Sequence, residues 1–257
     1  MGLTTLSGPG FASSAWDDIR ADLFGARPIE AGQGVVSLKA PYRALDQRFV
    51  PISIEAALAD GRQIQAVTVI VDENPSPVAA VFHFADHRER AALGVNIRLD
   101  EESAVRVILE ASDHRLYMTA TFVKASGLGV CAAPPVSDQQ AAAQVIGQMH
   151  LTDLTNDEIA AATQLRRRAQ LDIKHPQNTG LQMNQVTMMF IPLRFIARIE
   201  LRQGDQLVWT MDGGMTLSEN PRIVFDYWVN GAGRLHVRAE DTRHAVWEQR
   251  FPIGSSS

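Results

Sequence analysis

Cys131 is the side chain whose type and setting point most directly to chemistry, because it is the single cysteine among 257 residues. Gly127 and Gly129 precede it, and Pro134 and Pro135 follow it. Glycine weakens and proline interrupts regular secondary structure, so this stretch is predicted to be a loop. Loops run over the protein surface, where a thiolate can form and break a covalent bond to a cargo group.

The alternative for Cys131 is a buried, inert thiol, because most unpaired cysteines behave as small hydrophobic residues. A single cysteine excludes an internal disulfide and a cysteine-based zinc cluster. The stretch also fits a loose G-x-G-x-x-A dinucleotide fingerprint, but that site needs a helix directly after the glycines. Pro134 and Pro135 break such a helix, so we set a dinucleotide site aside.

His175 is the second candidate, in a supporting role. The pair His175-Pro176 closes a predicted strand, a pattern typical of a strand-to-turn corner with a hydrogen-bonded histidine. Spacing alone does not place His175 near the thiol, so structural and supporting roles both stay open. No Ser/His/Asp arrangement, phosphate loop, metal-ligand cluster or pair of catalytic carboxylates is evident, and the sequence therefore predicts no enzyme active site. We interpret Arg166–Arg168 as a solvated linker face and Met183, Met188, Met189 and Met211 as core residues.

The composition is that of a globular protein, with 46% hydrophobic and 21% charged residues. The net charge is −5, and the sequence shows no concentration of Lys and Arg, so a nucleic-acid partner is not expected. No apolar run approaches the roughly 20 residues of a membrane span. Residues Met1–Gly10 have neither a basic start nor an apolar run, so no signal peptide is predicted there.

The elements that must position Cys131 are β-strands. Short alternating or β-branched runs separated by turn signals, with one helix at Ala15–Phe24 capped by Ser14, predict a β-sandwich before the cysteine. The same pattern resumes after it. The predicted strands are Val35–Leu38, Phe49–Glu55, Ile64–Val71, Val78–Phe84, Val95–Leu99, Val105–Glu110, Leu116–Lys124, Leu171–His175, Val186–Ile191, Phe195–Arg202, Gln206–Met211, Arg222–Val229, Leu235–Ala239 and Val246–Phe251.

The middle of the chain has a different pattern. Ser137–His150 is predicted to be a helix, and Thr155–Glu158 resembles a capping box that opens a second one. We therefore expect an all-β fold of two sandwich domains, 1–126 and 169–257, joined by a partly helical linker, 127–168, that bears the cysteine. The motif Glu-Asn-Pro occurs before an aromatic strand in each half, at Glu73–Pro75 and Glu219–Pro221, which suggests a duplication.

Several motifs, in order, resemble known sulfur-carrier domains. The first half resembles SoxY, the second half from Ala169 on resembles SoxZ, and together they resemble the fused SoxYZ-like carriers associated with quinoprotein dehydrogenases. The matching residues are Trp16–Asp22, Leu23–Gly25, Arg27–Ile29, Ala40–Ala44, Phe49–Ile52, Glu73–Pro77 and Phe82 for SoxY, and His175-Pro176, Thr179–Leu181, Ile191-Pro192, Ser218–Pro221 and Phe225 for SoxZ.

This resemblance implies two immunoglobulin-like domains and a periplasmic carrier rather than an enzyme. It implies that Cys131 holds oxidised sulfur intermediates of thiosulfate oxidation as a covalent adduct, that Gly127 and Gly129 give its arm flexibility, and that no other cofactor is needed. The implied partners are periplasmic redox enzymes or cytochromes of sulfur or alcohol oxidation. The alternative function is a non-covalent adaptor or accessory protein of a periplasmic quinoprotein (PQQ) dehydrogenase system. The family's arm reads Gly-Gly-Cys-Gly-Gly, whereas this chain has Val130 before the cysteine and Ala132 after it.

Overall fold

The computed structural model describes residues 14–125, 145–155, 165–184 and 187–253. Cys131, Gly127 and Gly129 lie outside these ranges, as does most of the predicted helix Ser137–His150. The structure therefore shows the residues on either side of the cysteine-bearing segment, and the candidate site is built from these residues.

The described residues form one α-helix and fifteen β-strands, so the predicted all-β fold with a short N-terminal helix is confirmed. Several strands, such as β3, alternate buried and exposed side chains, because one face of each sheet covers the core. The elements are α1 Ser14–Phe24, β1 Ile29–Ala31, β2 Val36–Lys39, β3 Val50–Ala57, β4 Ile64–Val71, β5 Val78–Phe84, β6 Arg90–Ile97, β7 Ser103–Ala111, β8 Leu116–Val123, β9 Met149–Asp153, β10 Arg166–Ile173, β11 Ile196–Gln203, β12 Gln206–Gly213, β13 Arg222–Trp228, β14 Arg234–Asp241 and β15 Val246–Pro252.

The strands form two sheets that enclose one hydrophobic core. The nine-stranded sheet has the order β1-β8-β7-β4-β5-β12-β11-β14-β15, and the six-stranded sheet has the order β2-β3-β6-β13-β10-β9. The strands pair antiparallel apart from β1 and β8, which run parallel. Trp209, fully buried between Phe82 and Phe225, makes edge-to-face contacts with both rings and so links residues of the two halves.

Both sheets run through both halves of the chain. In the nine-stranded sheet β5 pairs with β12, and in the six-stranded sheet β6 pairs with β13. On either side of these two pairs the strand order repeats, so that β4, β7 and β8 correspond to β11, β14 and β15. The two immunoglobulin-like halves are therefore related by an approximate twofold arrangement and share their sheets.

The hairpins β7–β8 and β14–β15 illustrate this correspondence. His114 and His244 both have positive φ angles, 63° and 61°, and each backbone N–H donates to the carbonyl three residues earlier. The Glu-Asn-Pro motifs, by contrast, are not equivalent. Glu73–Pro75 precedes β5 of the nine-stranded sheet, whereas Glu219–Pro221 precedes β13 of the six-stranded sheet. The duplication is present, but this motif does not mark it.

Helix α1 covers the outer face of the nine-stranded sheet in the first half. Trp16 and Ile19 pack on Ile70, Ile108 and Leu116, which point away from the main core. Arg106 lies beneath this helix, with its guanidinium carbon 4.4 Å from the centre of the Trp16 ring, and pairs with the buried carboxylate of Asp72 at 2.7 Å. The helix thus fixes the sheet that carries β8, the strand before the Cys131 segment.

Three regions differ from the sequence prediction. Residues 149–153 form strand β9 where the helix was predicted to end at His150, so that end of the helix prediction is wrong. The predicted strand Val186–Ile191 is also wrong over residues 187–191, the part that the structure describes. These residues belong to none of the strands, and Phe190 forms only an isolated β-bridge. Strand β9 and the start of β10 lie inside the range 127–168 assigned to the linker, while the domain limits themselves stay a prediction.

Candidate functional site

The Cys131 segment, residues 126–144, follows strand β8 in the sequence. The last described contacts before it are made by Lys124, whose N–H donates to the Tyr42 carbonyl at 2.8 Å and whose carbonyl accepts from the Ala44 N–H at 2.8 Å. The Lys124 Nζ atom lies 5.5 Å from the centre of the Tyr42 ring. The chain is therefore held by backbone pairing up to Lys124, which we call the upstream anchor.

After this segment the described chain resumes at Val145, and Gly147 is the downstream anchor. Its N–H donates to the Lys174 carbonyl at 2.7 Å, and the Lys174 N–H donates back to the Gln148 carbonyl at 2.8 Å. Gly147 has a φ of +84°, and a Cβ atom at this position would lie 2.0 Å from the ring of Trp247. Only glycine satisfies both the backbone conformation and the close approach of the indole.

His175 lies behind the downstream anchor, in contact with the same tryptophan. The two rings are 5.9 Å apart in an edge-to-face arrangement. The Gln177 N–H donates to His175 Nδ1 at 3.2 Å, so the neutral ring carries its proton on Nε2, which is 3.5 Å from Asp241 Oδ2. Asp241 also accepts from Arg194 Nε at 2.7 Å. This buried cluster ties the corner after β10 to the hairpin β14–β15.

The structure therefore brings His175 to the downstream anchor, through Gly147 and Trp247. The His175 side chain is buried and packs against Trp247. This contact helps to hold the downstream anchor in place. A contact between His175 and Cys131 falls outside the described residues. Sequence reasoning selected His175 but missed Gly147 and Trp247, since no spacing rule pairs residues so far apart in the chain.

The corner at His175-Pro176 has two further partners that sequence reasoning missed. Asn220 accepts from the His175 N–H through Oδ1 at 3.1 Å and donates its own N–H to the His175 carbonyl at 2.8 Å. Arg98, buried beside the corner, donates to the Pro176 carbonyl at 3.4 Å. Burial lowers the pKa of Arg98 to about 10. The Glu219-Asn220-Pro221 motif was the sequence signal that could have identified Asn220. Its hydrogen bonds to His175 fix this corner.

Arg166 and Arg168 are not the solvated linker residues that the sequence suggested. Both lie on β10 and bind the fully buried carboxylate of Asp226 on the neighbouring strand, at 2.7 Å from Arg166 Nε and 2.7 Å from Arg168 Nε. The methionine interpretation holds only for the buried Met211. Met183, Met188 and Met189 are exposed, with 69% of Met188 accessible.

The protonation of His175 makes stability depend on pH. Burial lowers the pKa of His175 from 6.5 to about 4, the nearby Asp241 carboxylate opposing this only in part. The unfolded chain therefore binds a proton between these values that the folded chain does not. We expect the free energy of unfolding to fall as the pH drops from about 6.5 to about 4, by at most about 1.4 kcal/mol per pH unit from this residue.

Urea denaturation at a series of pH values checks this prediction. His175→Gln should flatten the decline between pH 6.5 and 4, whereas His150→Gln, at an exposed position, should leave it in place. An unchanged slope in His175→Gln would show that other groups cause the decline.

The described residues contain no group of three or more His, Cys, Asp or Glu side chains arranged to hold a metal ion. Within the same ranges, no helix has the length and apolar character needed to cross a membrane. Fold and site thus define a class of protein in which two immunoglobulin-like halves share two sheets and anchor one cysteine-bearing segment at both of its ends.

Two known protein families match this chain, one in each half. Residues 20–131 match the family "Sulfur oxidation protein SoxY", and residues 158–252 match "Sulphur oxidation protein SoxZ". The two matches follow each other and account for most of the chain. The chain therefore belongs to the fused SoxYZ-like family of sulfur-oxidation carriers.

Similar solved structures include the sulfur carrier protein SoxY from Chlorobium limicola f thiosulfatophilum, with 24% identity over 45% of this chain and 100% of that chain and a TM-score of 0.38. A superoxide reductase (neelaredoxin) from Ignicoccus hospitalis has 12% identity over 38% of this chain and 88% of its own, with a TM-score of 0.31. A putative superoxide reductase from Thermotoga maritima has 12% identity over 39% and 95%, with a TM-score of 0.34. A search of curated proteins finds no significant match.

Proposed function

We propose that this chain is a periplasmic carrier that holds an oxidised sulfur group covalently on Cys131 and presents it to partner redox enzymes. The observation that carries the proposal is the extent of the SoxY match, which covers residues 20–131 and so ends on the single cysteine. The two anchors support it, because each fixes the chain by backbone hydrogen bonds at one end of the segment that contains Cys131.

The anchors also limit how far the sulfur can travel. Seven residues lead from Lys124 to Cys131, and a fully extended chain spans at most ~3.6 Å per residue. The Cα atom of Cys131 can therefore lie no further than about 25 Å from that of Lys124 in the upstream anchor. This reach is enough to enter a partner's cleft. Sixteen residues separate Cys131 from Gly147, so the upstream anchor sets the limit on how far the cargo can travel.

The loading chemistry needs only an accessible thiolate and a donor with a sulfur–sulfur bond. The Cys131 thiolate attacks one of the two inner sulfur atoms of a tetrathionate ion, a sulfur–sulfur bond of the donor breaks, and thiosulfate leaves with the electron pair. The product is a Cys131 thiosulfonate, –S–S–SO₃⁻. Atoms and charge balance without another oxidant, because the tetrathionate is reduced to one thiosulfate as the thiol sulfur is oxidised.

Accessibility of the thiol tests this proposal. An aromatic disulfide reagent should react with the folded chain at a rate within about tenfold of its rate in denaturant, because an exposed thiol is accessible without unfolding. The single cysteine makes the signal unambiguous. Reaction only after unfolding would contradict a carrier function and would favour the inert, buried cysteine.

A further inference from the structure

The connection between β10 and β11 carries a large apolar surface that the described residues leave exposed. We call residues 178–194 the apolar loop. No Asp, Glu, Lys, Arg or His occurs from Pro176 to Leu193. Six large apolar side chains of the loop are exposed, over 39% to 69% of their surface. They are Leu181, Met183, Met188, Met189, Phe190 and Leu193.

Backbone hydrogen bonds fold the apolar loop back on itself. Asn178 and Arg194 exchange hydrogen bonds at its base, with N–O distances of 2.7 and 3.0 Å. Further along, the Ile191 N–H donates to the Gln182 carbonyl at 2.7 Å. Arg194 Nε donates to the buried Asp241 carboxylate at 2.7 Å. The base of the loop is therefore tied to the buried cluster behind the downstream anchor.

The apolar loop has an inner and an outer side. Met183 and Phe190 lie opposite each other in a β-bridge, so their exposed side chains point to the same side. Gln182, the residue before Met183, is buried, and its Oε1 atom accepts from the Thr179 N–H at 3.3 Å. Successive side chains of an extended chain point to opposite sides. The amide of Gln182 therefore faces the body of the protein, and the apolar pair faces away from it.

The backbone of Met188 shows that local stability does not account for this surface. Its φ angle is +55°, in the left-handed region that is costly for a residue with a Cβ atom. Glycine or asparagine suits such a position better. The residue present is instead a methionine with 69% of its surface exposed. A strained backbone that presents an exposed thioether indicates a contact with another molecule.

The area of this surface matches what a second copy of the chain would cover. A residue of this size has an accessible area of about 200 Å² when fully exposed, so the six side chains together expose roughly 600 Å². The largest apolar patch on a typical monomer is about 300–600 Å², and such a patch is often functional. Two apolar loops packed together would bury about 1,200 Å² in total, which reaches the range of specific interfaces.

We propose that two copies of the chain dimerise through their apolar loops, related by a twofold axis. A surface without charge is complementary to itself, because no like charges are brought together. Each copy has a net charge of −5, which opposes association through charged surfaces, and the apolar loop contributes none of this charge. The dimer needs no cargo on Cys131, so it forms whether or not the chain is a sulfur carrier.

Sedimentation velocity of the full chain as Cys131→Ser tests the proposal, because this variant cannot form disulfide-linked dimers. The mass should rise from the 28.2 kDa of one chain toward twice that value as the concentration increases from about 1 to about 200 µM. Raising the salt concentration to about 1 M should not weaken the dimer, since the contact is apolar.

Two substitutions in the apolar loop should weaken the dimer. Phe190→Asp places a carboxylate in the apolar contact and should raise the dissociation constant by about tenfold or more. Met188→Asn should raise it by about threefold or more and should not lower the melting temperature, because asparagine tolerates the left-handed backbone. The matched control is Leu45→Asp, at an apolar residue that is 96% exposed outside the loop, which should dimerise as Cys131→Ser alone does.

A mass of one chain at every concentration would overturn the proposal, whether another part of the chain or a different protein then covers the apolar loop. A dimer of unchanged strength in both Phe190→Asp and Met188→Asn would also overturn it, since the contact would then lie elsewhere. The same conclusion would follow if Leu45→Asp weakened the dimer as much as Phe190→Asp does, or if the dimer dissociated at high salt.

Discussion

Replacing Cys131 with serine is expected to abolish loading of the chain by tetrathionate completely. The hydroxyl of serine is not a nucleophile toward a sulfur–sulfur bond at neutral pH, and the chain has no second cysteine to take over. Intact mass spectrometry after incubation with tetrathionate should show one thiosulfonate adduct on the wild type and none on Cys131→Ser. Reductant should remove the adduct from the wild type.

The same variant separates the carrier from the adaptor function. The proposed carrier function requires an exposed thiol, so Cys131→Ser should melt within about 1 °C of the wild type. Sulfur oxidation supported by the chain should be lost, whereas a non-covalent adaptor would keep its full effect on the partner. An undiminished effect in Cys131→Ser would refute the carrier function even if the thiol reacts in vitro.

Replacing Gly147 with alanine is expected to destabilise the fold more than the same change at a glycine in an open turn. Alanine at a φ of +84° is strained, and its Cβ would lie 2.0 Å from the Trp247 ring, which is itself packed against His175. The indole or the downstream anchor must move. We expect the free energy of unfolding to fall by about 2–4 kcal/mol, measured by urea denaturation.

Gly61→Ala is the matched control for this substitution. Gly61 has nearly the same backbone angle, a φ of +81°, but a Cβ there would meet nothing within 4 Å. This change should therefore cost only the backbone strain, about 1 kcal/mol. Equal losses in the two variants would show that contact with Trp247 does not hold the downstream anchor.

The strands were best predicted where β-branched or aromatic residues lie between clear turn signals. Ile64–Val71 and Val78–Phe84 were predicted with the limits that β4 and β5 have, because both are rich in β-branched or aromatic residues between clear turns. The start of β6 was missed, since Ala91, Ala92 and Gly94 have low strand propensity and are held in the sheet by their neighbours on β3 and β13. Strand β9 was missed for the same reason, as it depends on pairing with β10.

The sharing of sheets could not be read from the sequence. Each half has the strand pattern of a complete sandwich, and nothing local shows that β5 pairs with β12 or β6 with β13. The burial of Asp226 beneath Arg166 and Arg168 follows from the same long-range pairing, so these arginines looked like solvent-exposed residues. The exposed Met188 and Met189 were misassigned because methionine is usually buried.

For the site, the sequence supplied the candidates but not their arrangement. Cys131 and its flanking glycines were selected from residue type and setting, and their placement falls outside the described ranges. His175 was selected from its position at a strand end, and the structure places it at the downstream anchor. The partners that hold this anchor, Trp247 and Asp241, come from strands more than 60 residues away along the chain. Only the fold brings them together.

The most direct measurement of the central claim is the intact mass of this chain purified from the cell that produces it, with and without reductant. A carrier should show a mass above that of the polypeptide, lost on reduction and located by peptide mapping to Cys131. The size of the lost group would identify the cargo. A mass equal to that of the bare polypeptide under both conditions, in cells that are actively oxidising sulfur compounds, would contradict the account.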